Sequence, residues 1–232
     1  VPTESERLQL VSERDSLGMT LLHRAAWTNR IECIKVILAL YPDEAERLQA
    51  VKGRDTFRWT VLHYAASSGN PDLIQLILAL YPESERLQSL NMKNNDDWTV
   101  LHCVAYSGDL VCLKIILSLY PESELLQAVN TQNRRGGTVL HCVAESNKVE
   151  SIRALVSLYP EPERLQALNM TNRNGDTVLD HMKPRTRNSI MEWLSQADNN
   201  SSRKRSHDST LQPTDQIDAE QPETKLQKSV SQ

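Results

Sequence analysis

The chain has little of several residue types and motifs that mark other protein classes. Of its 232 residues only one is Phe, and no apolar run approaches the roughly 20 residues of a membrane-spanning helix. The formal net charge is −4 and the pI is about 5.9, so a broad basic surface for nucleic acid is not expected. We predict neither a membrane nor a nucleic-acid partner.

Motifs for catalysis and metal binding are also missing. The sequence has no Gly-x-Ser-x-Gly turn, phosphate-binding glycine loop, His-Glu-x-x-His helix or paired-cysteine zinc spacing. Many of its Glu residues fall in repeated "ESER" stretches, which are typical of solvated helix starts. We therefore predict that the chain is not an enzyme and has no catalytic residue, metal or cofactor.

The sequence is strongly self-similar. One phrase occurs four times: "LALYPDEAERLQAV" at 38–51, "LALYPESERLQSL" at 78–90, "LSLYPESELLQAV" at 117–129 and "VSLYPEPERLQAL" at 156–168. A second phrase, Thr-x-Leu followed by His or Asp, recurs after steps of 40, 39, 39 and 39 residues, at Thr20, Thr60, Thr99, Thr138 and Thr177. A period of this size indicates a stacked array of structural repeats.

The order of signals within a repeat predicts helices joined by polar loops. A short apolar run follows each Thr. Asn70 and Pro71 then mark the N-cap and first position of a second helix, whose apolar residues at 73–81 follow helical spacing. The Tyr81-Pro82 step ends that helix, because a residue before proline disfavours the α conformation. Polar stretches such as "NTQNRRGG" predict hairpin loops.

Residues 60–66, "TVLHYAA", and their equivalents resemble the Thr-Pro-Leu-His-x-Ala signature of the ankyrin-repeat family. The resemblance covers about residues 12–195 and implies an all-α repeat solenoid with polar hairpin loops. Leu or Val replaces the signature proline, and the period exceeds the usual length of about 33 residues. The additional residues belong to the phrase "PESERLQSL" at 82–90 and its equivalents, which predicts a short third helix with Pro at its first position.

Three segments are expected along the chain. Residues 1–11 resemble the end of a repeat, so we expect a fragment or processed chain with further sequence upstream. Residues 12–196 form the array, with repeats starting near 15, 55, 94, 133 and 172 and the last acting as a cap. Residues 197–232 are polar and poor in apolar side chains, which predicts a disordered tail.

The four cysteines and the recurring His residues have structural interpretations. Disulfides need Cα atoms within about 7 Å, whereas packed helices lie about 8–10 Å apart, so reduced, buried thiols are expected. The same spacing prevents His residues of successive repeats from sharing a metal ion. The family resemblance implies instead that each His and its Thr hold the hairpin against the helix: Thr20 with His23, Thr60 with His63, Thr99 with His102 and Thr138 with His141.

The resemblance also implies a binding surface on the hairpin tips and the exposed face of each first helix. Aromatic residues fall on these variable positions, and exposed aromatic side chains are enriched at binding hot spots. The predicted partner-binding residues are Met19, Trp27, Phe57, Trp59, Asp96, Trp98, Tyr106, Arg134, Arg135, Glu145 and Arg173. They predict an aromatic half and a cationic half, and hence a protein partner with an apolar anchor followed by acidic residues.

The first functional hypothesis is a monomeric, cytoplasmic scaffold for protein–protein interaction. The alternative is the recognition segment of a larger multidomain protein or of a secreted effector. The "LYPESERLQ" blocks resemble arrays in effector proteins that intracellular bacteria deliver into host cells. The tail, with Glu220, Glu223 and Val230, resembles a type IV secretion signal. The basic cluster at 203–205 leaves a nuclear regulator as a further alternative.

Overall fold

The computed structural model describes residues 3–208. This range contains fourteen α-helices, one 3-10 helix at Glu161–Glu163 and no β-strand. The α-helices are α1 (Glu4–Ser12), α2 (Leu21–Trp27), α3 (Ile31–Leu38), α4 (Glu44–Lys52), α5 (Val61–Ser67), α6 (Pro71–Leu78), α7 (Glu83–Leu90), α8 (Val100–Ser107), α9 (Leu110–Leu117), α10 (Glu122–Val129), α11 (Val139–Ser146), α12 (Val149–Val156), α13 (Arg164–Leu168) and α14 (Pro184–Asp208).

Repeats one to four each contain three helices in the same order, beginning with α2, α5, α8 and α11. These first helices pack on one another in sequence, and each also packs on the second helix of its own repeat. The second helices α6, α9 and α12 form a parallel layer behind them. The predicted all-α repeat solenoid is therefore confirmed, as is the short third helix of each repeat.

Each first helix begins with a Thr–His pair whose two members hydrogen-bond to each other. In repeat two, Thr60 Oγ1 accepts the His63 N–H at 3.4 Å, and His63 Nδ1 accepts the Thr60 N–H at 3.3 Å. Because Nδ1 is the acceptor, the ring proton lies on Nε2, which donates to the Met92 carbonyl at 3.0 Å. The ring thus joins the start of the first helix to the segment that leads into the next repeat.

The tyrosine of each "LYP" phrase links neighbouring repeats. The Tyr120 hydroxyl donates to Asn91 Oδ1 at 3.0 Å, and the Tyr159 hydroxyl donates to Asn130 Oδ1 at 2.6 Å. Both asparagines are the C-cap residues of third helices, α7 and α10, in the preceding repeats. The phrase recurs because each second helix must reach the third helix of its neighbour.

The third helices start one residue later than the sequence pattern predicts. Pro82 and Pro121 are N-cap residues, so the assignment of Pro to the first helical position is wrong. Repeat one has an additional residue after its proline, Asp43, whose carboxylate accepts the Glu46 N–H at 2.8 Å. This inserted cap explains why the first step of the array has 40 residues and the later steps have 39.

Repeat five has a turn where the other repeats have a first helix. Thr177 and Asp180 keep the capping contact, with Thr177 Oγ1 donating to Asp180 Oδ2 at 2.6 Å, but α14 begins only at Pro184. Helix α14 ends at Asp208, and the disorder predicted for residues 197–232 stays a prediction. Residues 209–232, with Glu220, Glu223 and Val230 of the secretion-signal hypothesis, lie outside the described residues.

The cysteines differ in burial. Cys103, Cys112 and Cys142 are buried free thiols, and burial raises the pKa of Cys103 and of Cys112 to about 12. Cys33 is also free but exposed, so the expectation of a buried thiol is wrong at this position. In the part of the chain that the structure describes, no helix is both long and apolar enough to cross a membrane.

We expect the array to lose stability as the pH falls from about 7 to about 5. Burial lowers the pKa of His63 and of His102 from 6.5 to about 4, and it also lowers the pKa of His23 and His141. Between these values the unfolded chain binds protons that the folded chain does not, so this stability is complete above about pH 6.5 and falls towards pH 4. Urea denaturation should show a loss on the order of a few kcal/mol.

A His102→Gln variant is the matched control for this prediction. It should be less stable than the original chain at about pH 7, because it loses the Thr99 contact. Its unfolding free energy should nevertheless change less between the two pH values, since one buried imidazole is gone. Equal pH dependence in both proteins would contradict the description of His102 as a neutral buried ring.

A second prediction concerns two glycines at the turn between first and second helices. Gly69 and Gly108 both have positive φ, as do Asn29 and Asn147 at the equivalent positions of repeats one and four. A Cβ at Gly69 would come no closer than 3.5 Å to other atoms, whereas one at Gly108 would lie 2.5 Å from Ser146 Oγ. We expect Gly69→Asn to be nearly neutral and Gly108→Asn to cost about 1–3 kcal/mol in unfolding free energy.

The comparison uses urea denaturation of both variants side by side. Asn is compatible with the left-handed conformation, so the difference between the two variants measures the steric contact and not the backbone strain. Equal stabilities for the two variants would show that the turn of repeat three has room for a side chain.

Candidate partner-binding groove

Every hairpin tip is built around one Asp or Asn side chain. In repeat three, Asn94 Oδ1 accepts the N–H groups of Asp96 at 2.8 Å and Trp98 at 2.9 Å. The same two bonds, to the second and fourth residues after it, form in the other repeats. We call these five residues the tip column: Asp15, Asp55, Asn94, Asn133 and Asn172.

The third residue after each tip-column residue has a left-handed backbone. It is Gly in repeats one, four and five, and Arg58 and Asp97 in repeats two and three, with φ of 62° and 60°. Successive tips are joined by main-chain hydrogen bonds, such as Asn95 N–H to the Phe57 carbonyl at 2.9 Å and Arg134 N–H to the Asp96 carbonyl at 2.8 Å. The tips therefore form a continuous edge along the array.

A groove of about 540 Å³ lies between this edge and the first helices. It extends from Trp27 in repeat one to His181 in repeat five. The structure brings together here seven of the eleven predicted partner-binding residues: Trp27, Trp59, Asp96, Trp98, Tyr106, Arg135 and Glu145.

Aromatic rings form the wall of the first part of the groove. Trp59 stacks on Tyr64 with 5.0 Å between ring centroids, and Trp98 contacts Tyr106 edge to face at 5.6 Å. Both Trp side chains are partly buried against rings of their own repeats, whereas Tyr106 is 52% exposed. The indoles therefore have two roles, packing on neighbouring rings and lining the groove.

The aromatic wall ends at repeat four. Gly137 occupies the position that is Trp59 and Trp98 in the two preceding repeats, and Asp176 occupies it in repeat five. A Cβ at Gly137 would lie only 3.2 Å from Asn133 Nδ2, so the missing side chain opens the groove above this amide.

The predicted cationic half of the groove is not formed. Of the three arginines, only Arg135 lines the groove, while Arg134 and Arg173 are exposed at tip positions outside it. The carboxylates of Asp96, Glu145 and Asp176 line the same space. The residue directly after the tip-column residue lies outside the groove in repeats four and five, whereas Arg135, one position later, lines it.

Met19 and Phe57 are also not part of the groove. Met19 is 3% exposed, so its assignment to a partner-binding surface is wrong. Its N–H is held by Asp15 Oδ1 at 3.0 Å, and its apolar side chain is buried away from water. Phe57 is 52% exposed but lies outside the groove lining.

The last part of the groove contains His181, which lies one position later in its repeat than the other four His residues do in theirs. His181 packs edge to face on His141, with 5.4 Å between centroids. Its Nδ1 lies 3.1 Å from Glu145 Oε1, and its Nε2 lies 3.2 Å from Asn172 Nδ2. His181 is therefore the last of the packed imidazole rings, and its contact with Glu145 fixes the orientation of that side chain.

Sequence reasoning did not identify the tip column as part of the site. Its signal in the sequence is the recurrence of Asp or Asn at the first position of every repeat. Among residues 3–208, no cluster of three or more His, Cys, Asp or Glu side chains is arranged to hold a metal ion.

Comparison with known proteins identifies the architecture. Residues 41–127 match the family model described as ankyrin repeats, in three copies. A search of curated protein sequences gives no match for the chain. The matched residues lie within repeats one to three, and repeat four has the same Thr–His pair, tip turn and three-helix order as these. Residues 41–127 are therefore ankyrin repeats, and repeat four continues the same architecture.

Proposed function

We propose that this array is a non-catalytic scaffold that binds a partner protein in the groove between the hairpin tips and the first helices. Ankyrin repeats are in general modules for protein–protein interaction, and the family is typically non-catalytic. The partner is expected to insert an apolar or aromatic anchor beside the Trp and Tyr rings of repeats two and three.

The observation that carries this proposal is the row of aromatic side chains left accessible in a concave surface. Trp27 is 56% exposed and Tyr106 is 52% exposed, and both line the groove with Trp59 and Trp98. Large aromatic rings in contact with water are unfavourable unless a partner covers them, and Trp and Tyr are the residues most enriched in binding hot spots.

We do not propose an acidic segment in the partner. An acidic segment in the groove would meet Arg135 alone, together with the carboxylates of Asp96, Glu145 and Asp176. Like charges placed opposite one another reduce affinity. An apolar or aromatic anchor is therefore the feature that we expect of the partner, and an acidic segment is not.

Removal of the aromatic wall should abolish partner capture. Quantitative affinity capture from a eukaryotic lysate compares the original array with a Trp59→Ser/Trp98→Ser variant. Each lost hot-spot ring costs about 2 kcal/mol or more in binding, so the captured amount of a specific partner should fall at least about tenfold. Thermal unfolding of the variant must remain cooperative, because both indoles also pack on neighbouring rings.

Two further variants separate binding from stability. Phe57→Ser removes an equally exposed aromatic residue outside the groove and should leave capture unchanged. Tyr106→Ser removes a 52% exposed ring inside the groove, with little expected loss of stability, and should weaken capture. If the Trp variant and Tyr106→Ser capture the same proteins as the original array, the groove is not the binding site.

A further inference from the structure

Two of the four Trp rings of the chain have an arginine guanidinium beside them. The guanidinium carbon of Arg24 lies 5.7 Å from the centroid of the Trp27 ring. In the same way, Arg153 and Arg164 each lie 5.7 Å from the centroid of the Trp193 ring. A cation is attracted to the electron-rich face of an aromatic ring, and Trp is the best of the aromatic residues in this role. The array thus uses arginine to cover its exposed indoles.

Each of these three arginines also contacts a carboxylate. The nitrogen-to-oxygen distances are 2.6 Å for Arg24–Asp15, 3.4 Å for Arg153–Glu150 and 3.9 Å for Arg164–Glu161. A guanidinium suits this arrangement because it is flat enough to stack on a ring while its N–H groups reach an acid. An indole and a carboxylate together therefore hold a cation at three places on this scaffold.

Repeat three has the rings and the carboxylate but no cation. Trp98 and Tyr106 line the groove together with Asp96. Asn94 Oδ1 accepts the main-chain N–H groups of both Asp96 and Trp98, so these two residues belong to one tip turn. Among the side chains that the structure describes, no Arg or Lys lies over the Trp98 ring or forms an ion pair with Asp96.

The lining of the groove has the charge that attracts a cation. The carboxylates of Asp96, Glu145 and Asp176 and the guanidinium of Arg135 give it a net charge of −2 with neutral His rings. Glu145 and Asp176 each contact a polar side chain of repeat five. Arg135 forms no ion pair with any of the three carboxylates in the described part of the chain. Asp96 is therefore the lining carboxylate that is left for a ligand.

We propose that the groove binds a cationic side chain of the partner protein, an arginine or a lysine, beside the Trp98 and Tyr106 rings, where the Asp96 carboxylate pairs with its charge. This inference rests on the proposed function and adds a basic residue next to the apolar or aromatic anchor. The long aliphatic stem of either residue packs well along an aromatic wall. The partner thus supplies to repeat three the cation that repeat one supplies from its own Arg24.

The test begins with peptides selected on the whole chain from a display library of random linear sequences. Counter-selection on the Trp59→Ser/Trp98→Ser variant removes peptides that bind elsewhere on the array. The remaining peptides should share an Arg or a Lys at one position. Its identity shows whether the groove takes a guanidinium or an ammonium group.

Two neighbouring aspartates provide a matched pair of variants. Asp97 follows Asp96 in the same tip but does not line the groove, so Asp97→Asn and Asp96→Asn change the net charge equally. Both are expected to fold, because Asp96 holds the turn through its main-chain N–H and Asn tolerates the φ of 60° at position 97. Urea denaturation checks that the two variants are equally folded.

The affinities of the selected peptides are measured by fluorescence polarisation. We expect Asp96→Asn to weaken binding at least about fivefold, because a hydrogen-bonded charge pair is lost. Asp97→Asn should weaken it less than about twofold, since only a distant, screened charge is removed.

A neutral form of each peptide completes a double-mutant cycle. Citrulline replaces the selected Arg, or acetyl-lysine the selected Lys, which removes the charge and keeps most of the shape. This peptide should bind the original chain at least about fivefold more weakly, and Asp96→Asn should weaken its binding little further.

The outcomes separate the two proposals. If the remaining peptides lack a basic residue, or if they bind Asp96→Asn as well as Asp97→Asn, the groove binds partners but the cationic site is wrong. The pairing with Asp96 is also wrong if Asp96→Asn weakens the neutral and the charged peptides equally. If counter-selection removes every binder, the proposed function itself is contradicted.

Discussion

The constraint on which the whole structure depends is that no single repeat can bury its own apolar face. Each first helix is only seven or eight residues long, which is too short to be stable alone in water. The "LYP" tyrosines Tyr81, Tyr120 and Tyr159 join each repeat to the preceding one through hydrogen bonds that no isolated repeat could make. The repetition of the sequence is therefore a direct consequence of nearest-neighbour packing.

The same constraint divides the residues of each repeat between scaffold and surface. Positions that face the neighbouring repeat must keep one chemistry, so Thr60 and His63 have equivalents in every complete repeat. The groove positions face solvent, where no packing partner fixes them, and the column of Trp98 changes to Gly137 and then to Asp176. The lining of the groove therefore changes from one repeat to the next along a regular scaffold.

Most of the fold was predictable from the sequence, whereas the site was predictable only in part. Helix order, period and the third helix follow from recurring local signals, because those signals act within a few residues. The direction of a tip side chain depends instead on the Asx contact and on one left-handed residue. Met19 is buried as a result, and Arg134 is exposed and does not line the groove. The predicted cationic half of the groove is not formed, because a count of arginine residues does not show which of them face the groove.

The tip column shows that the hairpin turn does not depend on the second polar atom of its side chain. In repeats one, two and five that atom contacts the residue nine positions later, which is Arg24, Tyr64 or His181. In repeats three and four that residue is a cysteine, and Asn94 Nδ2 is buried without a hydrogen-bond partner among residues 3–208. The turn is nevertheless kept in all five repeats, because it needs only the Oδ1 atom and the left-handed residue that follows. The turn is therefore the part of the column that the scaffold requires, whereas the second contact is free to vary.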